Sequence, residues 1–189
     1  LDCQEGLRPD LRLAVMSATL DCGPVAALLD GCPIIESAGR AFPVATRHLP
    51  PARNWLPYDT TPPGVLEDTV ADAVRRALHE EPGSLLVFLP GAGEIRRTAE
   101  RLAGLSATPQ GPVTVHALYG DLAPELQDAA IAPAPPGTRK VVLATAIAET
   151  SLTIDGVRVV IDAGLARSPR LDARSGKSRL ATARVSPAG

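Results

Sequence analysis

The chain has 189 residues, enough for one sizeable core plus part of another, and its 45% hydrophobic content excludes a disordered polymer. With one Trp, two Tyr and two Phe, the core must come from Leu, Val, Ile and Ala, while a net charge of −2 leaves a polyanionic partner open. Cys3, Cys22 and Cys32 lack the spacing of a zinc site and suit thiols of a reducing cytoplasm, and no apolar run reaches membrane-spanning length.

The first residue is Leu1 rather than Met, which reads as a piece of a longer protein. Residues 11–16, "LRLAVM", predict a buried strand whose end carries Ser17 and Thr19. "GPVAALLD" predicts a short helix and "CPIIES" a second strand. The Pro-rich run from Ala38 to Pro57 has no helical period and reads as a crossing segment with one extended piece at 44–48. From there the pattern is regular. Residues 65–79 place Val65, Leu66, Val70, Val74 and Leu78 at helical spacing, and "LLVFL" is a wholly apolar strand. "GAGEIRRTAERLAGL" predicts a helix, "VTVHAL" a strand, "APELQDAAI" a helix, and "KVVLAT" and "VRVVIDAG" two further strands. Strands, most of them uninterrupted by charge, alternating with helices predict an α/β fold, a parallel sheet with helices on both faces.

In such a sheet ligands gather at the carboxyl ends of the strands. Those ends carry Ser17-Ala18-Thr19, Pro90-Gly91, Tyr119-Gly120-Asp121, Thr145 and Asp162-Ala163-Gly164. Small and hydroxylated residues there offer donors to phosphates without bulk, but capping of helices explains them equally well.

Residues 167–184 hold five arginines and one lysine against the single Asp172. The cations alternate with Leu171, Ala173, Leu180 and Thr182 around Ser175-Gly176, which predicts a basic β-hairpin. Within it, "RSGKS" matches the last positions of a phosphate-binding loop, G-x-x-x-x-G-K-[ST]. The match fails, because Leu171 stands where that motif needs Gly and no helix follows.

The run "VVLATAIAETSLTIDGVRVVIDAGLARSPRLDARSGKSRL" resembles motif V and the segment after it in the DEAH-box ATP-dependent RNA helicases of superfamily 2. "MSATL" resembles their motif III, "LLVFLPGAGEI" motif IV, "LYGDLAPELQ" motif IVa, and "GRAFPV" the segment joining their two RecA-like domains. "LARSPRLDARSGKSRLATARVS" is similar to the bacterial HrpB-type group. The resemblance implies that residues 1–38 end a first RecA-like domain, 39–50 link, and 51–189 form most of a second RecA-like domain with a C-terminal hairpin. It also implies that the P-loop and DEAH box, which hold most of the ATP and Mg²⁺, lie upstream of Leu1. Motif VI would follow Gly189, so this segment alone is not expected to hydrolyse ATP.

Carried over residue by residue, the resemblance makes Ser17 and Thr19 the catalytic couplers between the nucleotide and the second domain. Arg40, Ile131, Ser151 and Asp155 would contact ATP, Arg40 by stacking on adenine and Asp155 by accepting from the ribose. Gly91, Gly120 and Thr145 would meet the backbone of single-stranded RNA, and Arg167, Arg170, Lys177 and Arg179 would attract its phosphates regardless of sequence. Two positions depart from the family pattern. Ala146 stands where Asn is usual, and Ile131 stands near a usual aromatic, which removes π-stacking on adenine. The implied function is a part of an ATP-dependent RNA helicase with RNA and ATP as partners, no membrane association and a cytoplasmic location. Two other readings stay open: a non-catalytic RNA-binding module that kept the fold, and a DNA helicase of the same superfamily.

Overall fold

The computed structural model describes residues 10, 12–16, 22–36, 42–49, 62, 64–146, 154–172 and 177–184, with backbone alone for 168–172, 177–181 and 184. The chain divides into two compact units, Leu1–His48 and Leu49–Gly189.

In the first unit, helix α1 spans Cys22–Leu28. It ends on two left-handed residues, Asp30 (φ 54°) and Gly31 (φ 74°), and the Gly31 amide donates to the Ala26 carbonyl at 2.8 Å. The two expected strands do not form ladders here. Residues 12–16 and 32–36 join no strand ladder among the described residues, with Met16 at 91% and Ile35 at 95% exposure. Their apolar patterning is strand-like, but a strand exists only where a neighbour accepts its hydrogen bonds. Ser17, Thr19 and Arg40 lie outside the described residues.

The second unit starts with helix α2, Val65–Glu80, whose Leu66, Val70, Ala71, Val74 and Leu78 form one buried stripe. Strand β1, Ser84–Phe88, is followed by helix α3, Ala92–Arg101, and by the two-residue strand β2, Ala107–Thr108. Then come strand β3, Gly111–Leu118, helix α4, Pro124–Ile131, with proline in its first turn, and strands β4, Arg139–Ala144, and β5, Val157–Asp162. The five strands run in the order β2-β3-β4-β1-β5. All pairings among β3, β4, β1 and β5 are parallel, with Val87 opposite Leu143 and Leu143 opposite Ala117, and β2 adds a short antiparallel edge. Strands β6, Leu165–Asp172, and β7, Lys177–Arg184, form a separate antiparallel ribbon. This is the expected RecA-like sheet with a C-terminal hairpin.

Alternation along the strands sorts the core into two layers. Leu85, Val87, Val141 and Leu143 pack with α2 and α3, while Leu86, Val142 and Ala144 pack with Ala130 of α4. The same alternation sends two adjacent cations of β4 to opposite faces. Arg139, 4% exposed, donates to the carbonyls of Gly83 and Leu78, each at 2.7 Å, to Glu81 O at 2.7 Å and to Gln110 Oε1 at 2.6 Å, which closes the C-terminal end of α2. Lys140, 3% exposed, donates from Nζ to the carbonyls of Ala129, Ala130 and Ala132 at 2.6, 2.9 and 2.6 Å, which closes α4. The last carbonyls of a helix are unsatisfied and carry its negative end, so a buried cation suits each site. Burial lowers the pKa of both groups.

Candidate nucleic-acid interface at the carboxyl edge of the sheet

Because β3, β4, β1 and β5 are parallel, their carboxyl ends open on one edge. The ladder continues one residue past the strands. The Leu89 amide donates to Ala144 O at 2.8 Å, the Thr145 amide to Leu118 O at 3.2 Å, and the Ala163 amide to Phe88 O at 3.2 Å. These bonds hold the loops that follow each strand in a common row, so Gly91, Thr145 and Gly120 share one edge. Gly120 is tied down by Gln127, whose Nε2 donates to Leu122 O at 2.7 Å and to Gly120 O at 3.4 Å. Beyond β5, the Gly164 amide donates to Asp162 Oδ1 at 2.7 Å, and the chain turns through Gly164 (φ 68°) into β6.

Gly91 is buried at the mouth of α3, and its φ of −173° is extended backbone open to any residue. What a side chain there would meet is another side chain. A Cβ there would lie 2.8 Å from Arg167 Cζ, 2.9 Å from Nη1 and 3.0 Å from Nε. The central carbon is the nearest of the three, so the guanidinium presents its face to Gly91.

Arg167 is paired rather than free. Its Nη2 donates to Glu94 Oε1 at 3.2 Å and to Oε2 at 3.1 Å. Glu94 also accepts from Arg97 Nη2 at 3.0 Å, and Arg97 Nε donates to Glu67 Oε1 at 2.6 Å. Both carboxylate side chains are 4% exposed. The bond to Glu67 and the charges of Glu67 and Glu94 raise the Arg97 pKa against the opposing pull of burial.

Ile131 and Asp155 stand apart from that row. Ile131 ends α4 beside the carbonyls that Lys140 holds, and Asp155 opens the exposed turn into β5, whose Gly156 carbonyl accepts from the Ser84 amide at 2.8 Å. Both positions lie towards the amino ends of the strands. Ile131 and Ile154, the neighbour of Asp155, pack on the same core layer. They offer an apolar contact and a carboxylate acceptor, but no cradle for phosphates. Ser151 lies outside the described residues. Among the described residues no group of three or more His, Cys, Asp or Glu could hold a metal ion, so no Mg²⁺ ligand is assigned to them. Nor is any described helix long and apolar enough to cross a membrane.

In the ribbon, the register pairs Arg170 with Arg179, Asp172 with Lys177 and Arg167 with Thr182. Lys177 and Ser178 open a strand, which removes any helical phosphate loop at "RSGKS". Sequence reasoning missed Glu67, Glu94 and Arg97. Each reads there as an ordinary helix-surface charge, and the only signal is Glu94 three residues after Gly91 at a helix start.

Comparison with known proteins agrees with this architecture. Residues 68–178 match the family described as helicase conserved C-terminal domain. The chain is 49% identical over 189 residues to the ATP-dependent RNA helicase HrpB of Escherichia coli, covering 100% of this chain and 22% of that protein. It is 37% identical over 187 residues to the pre-mRNA-splicing factor ATP-dependent RNA helicase prp22 of Schizosaccharomyces pombe, covering 96% of the chain and 15% of the relative. Two solved structures are similar at 46% identity over 98% of the chain: the E. coli DEAH/RHA helicase HrpB, with TM-score 0.77 and 22% of its length covered, and the E. coli DExH-box NTPase HrpB, with TM-score 0.73 and 21% covered. The chain therefore spans about a fifth of the length of these E. coli relatives. With the match running from α2 into β7 over more than half of the residues, the chain belongs to the helicase conserved C-terminal domain family.

Proposed function

We propose that the chain serves as the second RecA-like half of an ATP-dependent RNA helicase, gripping single-stranded RNA by its backbone along the carboxyl edge of the sheet. The observation that carries this reading is the row of Gly91, Thr145 and Gly120, held by the Leu89–Ala144 and Thr145–Leu118 bonds and continued by a basic ribbon. The exposed Gly120 lets a phosphate chain approach closely, and backbone contacts carry no base preference, which suits a motor that must move over any sequence. The Thr145 amide is committed to Leu118, so the hydroxyl is the donor it can offer a phosphate. Arg170 and Arg179 on one rung, with Lys177 two rungs further along the ribbon, supply sequence-independent attraction.

On the nucleotide side, Ile131 and Asp155 are the described residues assigned to ATP, joined by Arg40 and Ser151. Ser17 and Thr19 would transmit the state of the nucleotide, and Mg²⁺ would sit mainly on a P-loop and DEAH box in the whole protein. Closure of two RecA-like domains on ATP and their release after hydrolysis would move RNA through the cleft. The names of the E. coli and S. pombe relatives, both ATP-dependent RNA helicases, support this reading. We place the protein in the cytoplasm.

The test is ATP turnover by the full-length protein with and without single-stranded RNA. RNA is expected to raise turnover, and Thr145→Val to weaken RNA binding by about tenfold, the worth of one hydrogen bond to a charged oxygen. Stimulation by DNA as strong as by RNA would favour the DNA helicase reading. RNA binding without turnover would favour the non-catalytic module, and indifference to both polymers would defeat the motor.

A further inference from the structure

Glu94 is buried in the first turn of α3, and carboxylates lie so deep almost only when paired. Its partners come from two directions. Arg97 sits one turn further along the same helix, while Arg167 arrives from β6, 73 residues away in the chain. Arg97 alone does not serve Glu94, because its shortest bond goes to Glu67 on α2. The two acids and two arginines are formally neutral together, and removing Arg167 would take one cation from a pair of buried carboxylates. The second observation is independent of charge. Gly91 has no conformational need to be glycine, yet a single added methyl would strike the face of the Arg167 guanidinium at 2.8 Å. The mouth of α3 thus provides a seat for this side chain, with Glu94 behind it and Gly91 beneath it.

We propose that Glu94 is a positioning residue: it holds the Arg167 guanidinium against Gly91 and so fixes the β6–β7 ribbon to the edge that carries Gly91, Thr145 and Gly120. This rests on the RNA-binding reading of that edge. It assigns Arg167 to fastening the ribbon, and it leaves phosphate attraction to the cations further along. Leu165, 6% exposed in the core, anchors the start of β6 by apolar packing. A bond to a buried carboxylate two residues on adds a directional attachment.

Two measurements on the full-length protein test this. Amide hydrogen exchange without RNA should speed up together in residues 89–93 and in the ribbon at 165–172 and 177–184 for Glu94→Gln, with the β1 and β4 amides unchanged. Gly91→Ala keeps every charge and displaces only the flexible end of Arg167, so it should give the same joint loosening even if Glu94→Gln folds poorly. Anisotropy with a fluorescent oligouridine over a salt series should show Glu94→Gln and Arg167→Gln each weakening binding by about fivefold with an unchanged salt slope, and the double variant no weaker than either single one. A slope lower by about 0.7 in Arg167→Gln, with Glu94→Gln binding as tightly as the parent, would make Arg167 a phosphate ligand and overturn the proposal. Unchanged ribbon exchange in Gly91→Ala would overturn it as well. If the parent chain bound no RNA, the RNA-binding reading would fall, and the exchange measurement would still decide whether the seat exists.

Discussion

Replacing Arg139 by Met removes the guanidinium and keeps most of the aliphatic stem. The loss can be built acceptor by acceptor. The bond to the Leu78 carbonyl is the buried one, and orphaning a buried acceptor costs about 1–3 kcal/mol. The acceptors on Gly83, Glu81 and Gln110 are only partly buried and can recruit water, so each loses about 0.5 kcal/mol. Burial lowers the Arg139 pKa, so the charge is held at a desolvation cost, and its removal returns part of the loss. The net expectation is a destabilisation of about 3 kcal/mol, or roughly a 10 °C fall in Tm for a domain of this size. Urea unfolding followed by far-UV circular dichroism measures it. Arg139→Lys should recover about half, since one ammonium cannot reproduce a fork that meets four acceptors on two turns. Arg139 lies at the amino end of β4 and Thr145 just past its carboxyl end, so RNA affinity of the folded variant should be unchanged. A loss below about 1 kcal/mol would mean that water replaces the guanidinium freely and that Arg139 does not close α2.

Thr98 Oγ1 is buried without a hydrogen-bond partner among the described residues, so Thr98→Val should stabilise the chain by about 1 kcal/mol, and a lower urea midpoint would count against it. Burial first, and the Lys140 charge second, lower the His116 pKa below its ordinary 6.5. The unfolded chain then binds this proton more readily than the folded one, so His116 makes stability fall as pH drops below about 6.5. Comparing urea midpoints at pH 7.5 and 5.5, His116→Asn should show a smaller fall than the parent, and an identical fall would refute the assignment.

The alternation of amphipathic helices and largely apolar strands is legible in the residues because each pattern has its own period, and it predicts the parallel sheet and the edge where Gly91, Gly120 and Thr145 meet. The basic hairpin is legible for the same reason, and so is the failure of "RSGKS" as a phosphate loop, since Leu171 blocks the motif and an alternating run follows it. Residues 12–16 and 32–36 mark the limit of that approach. Their composition is that of strands, but pairing is a property of neighbours, and among the described residues they have none.

Everything that depends on which charge meets which was decided by the tertiary structure. Arg139 and Lys140 are adjacent in the chain and look like any polar pair at a strand start, yet the pleat drives them into opposite layers against two different helix ends. Glu67, Glu94 and Arg97 read as solvated helix charges until α2 and α3 lie side by side and Arg167 crosses from the ribbon. Local periodicity determines which elements form and which face is apolar. An ion pair between a buried carboxylate and an arginine 73 residues away depends instead on the packing of those faces, and no local pattern encodes it.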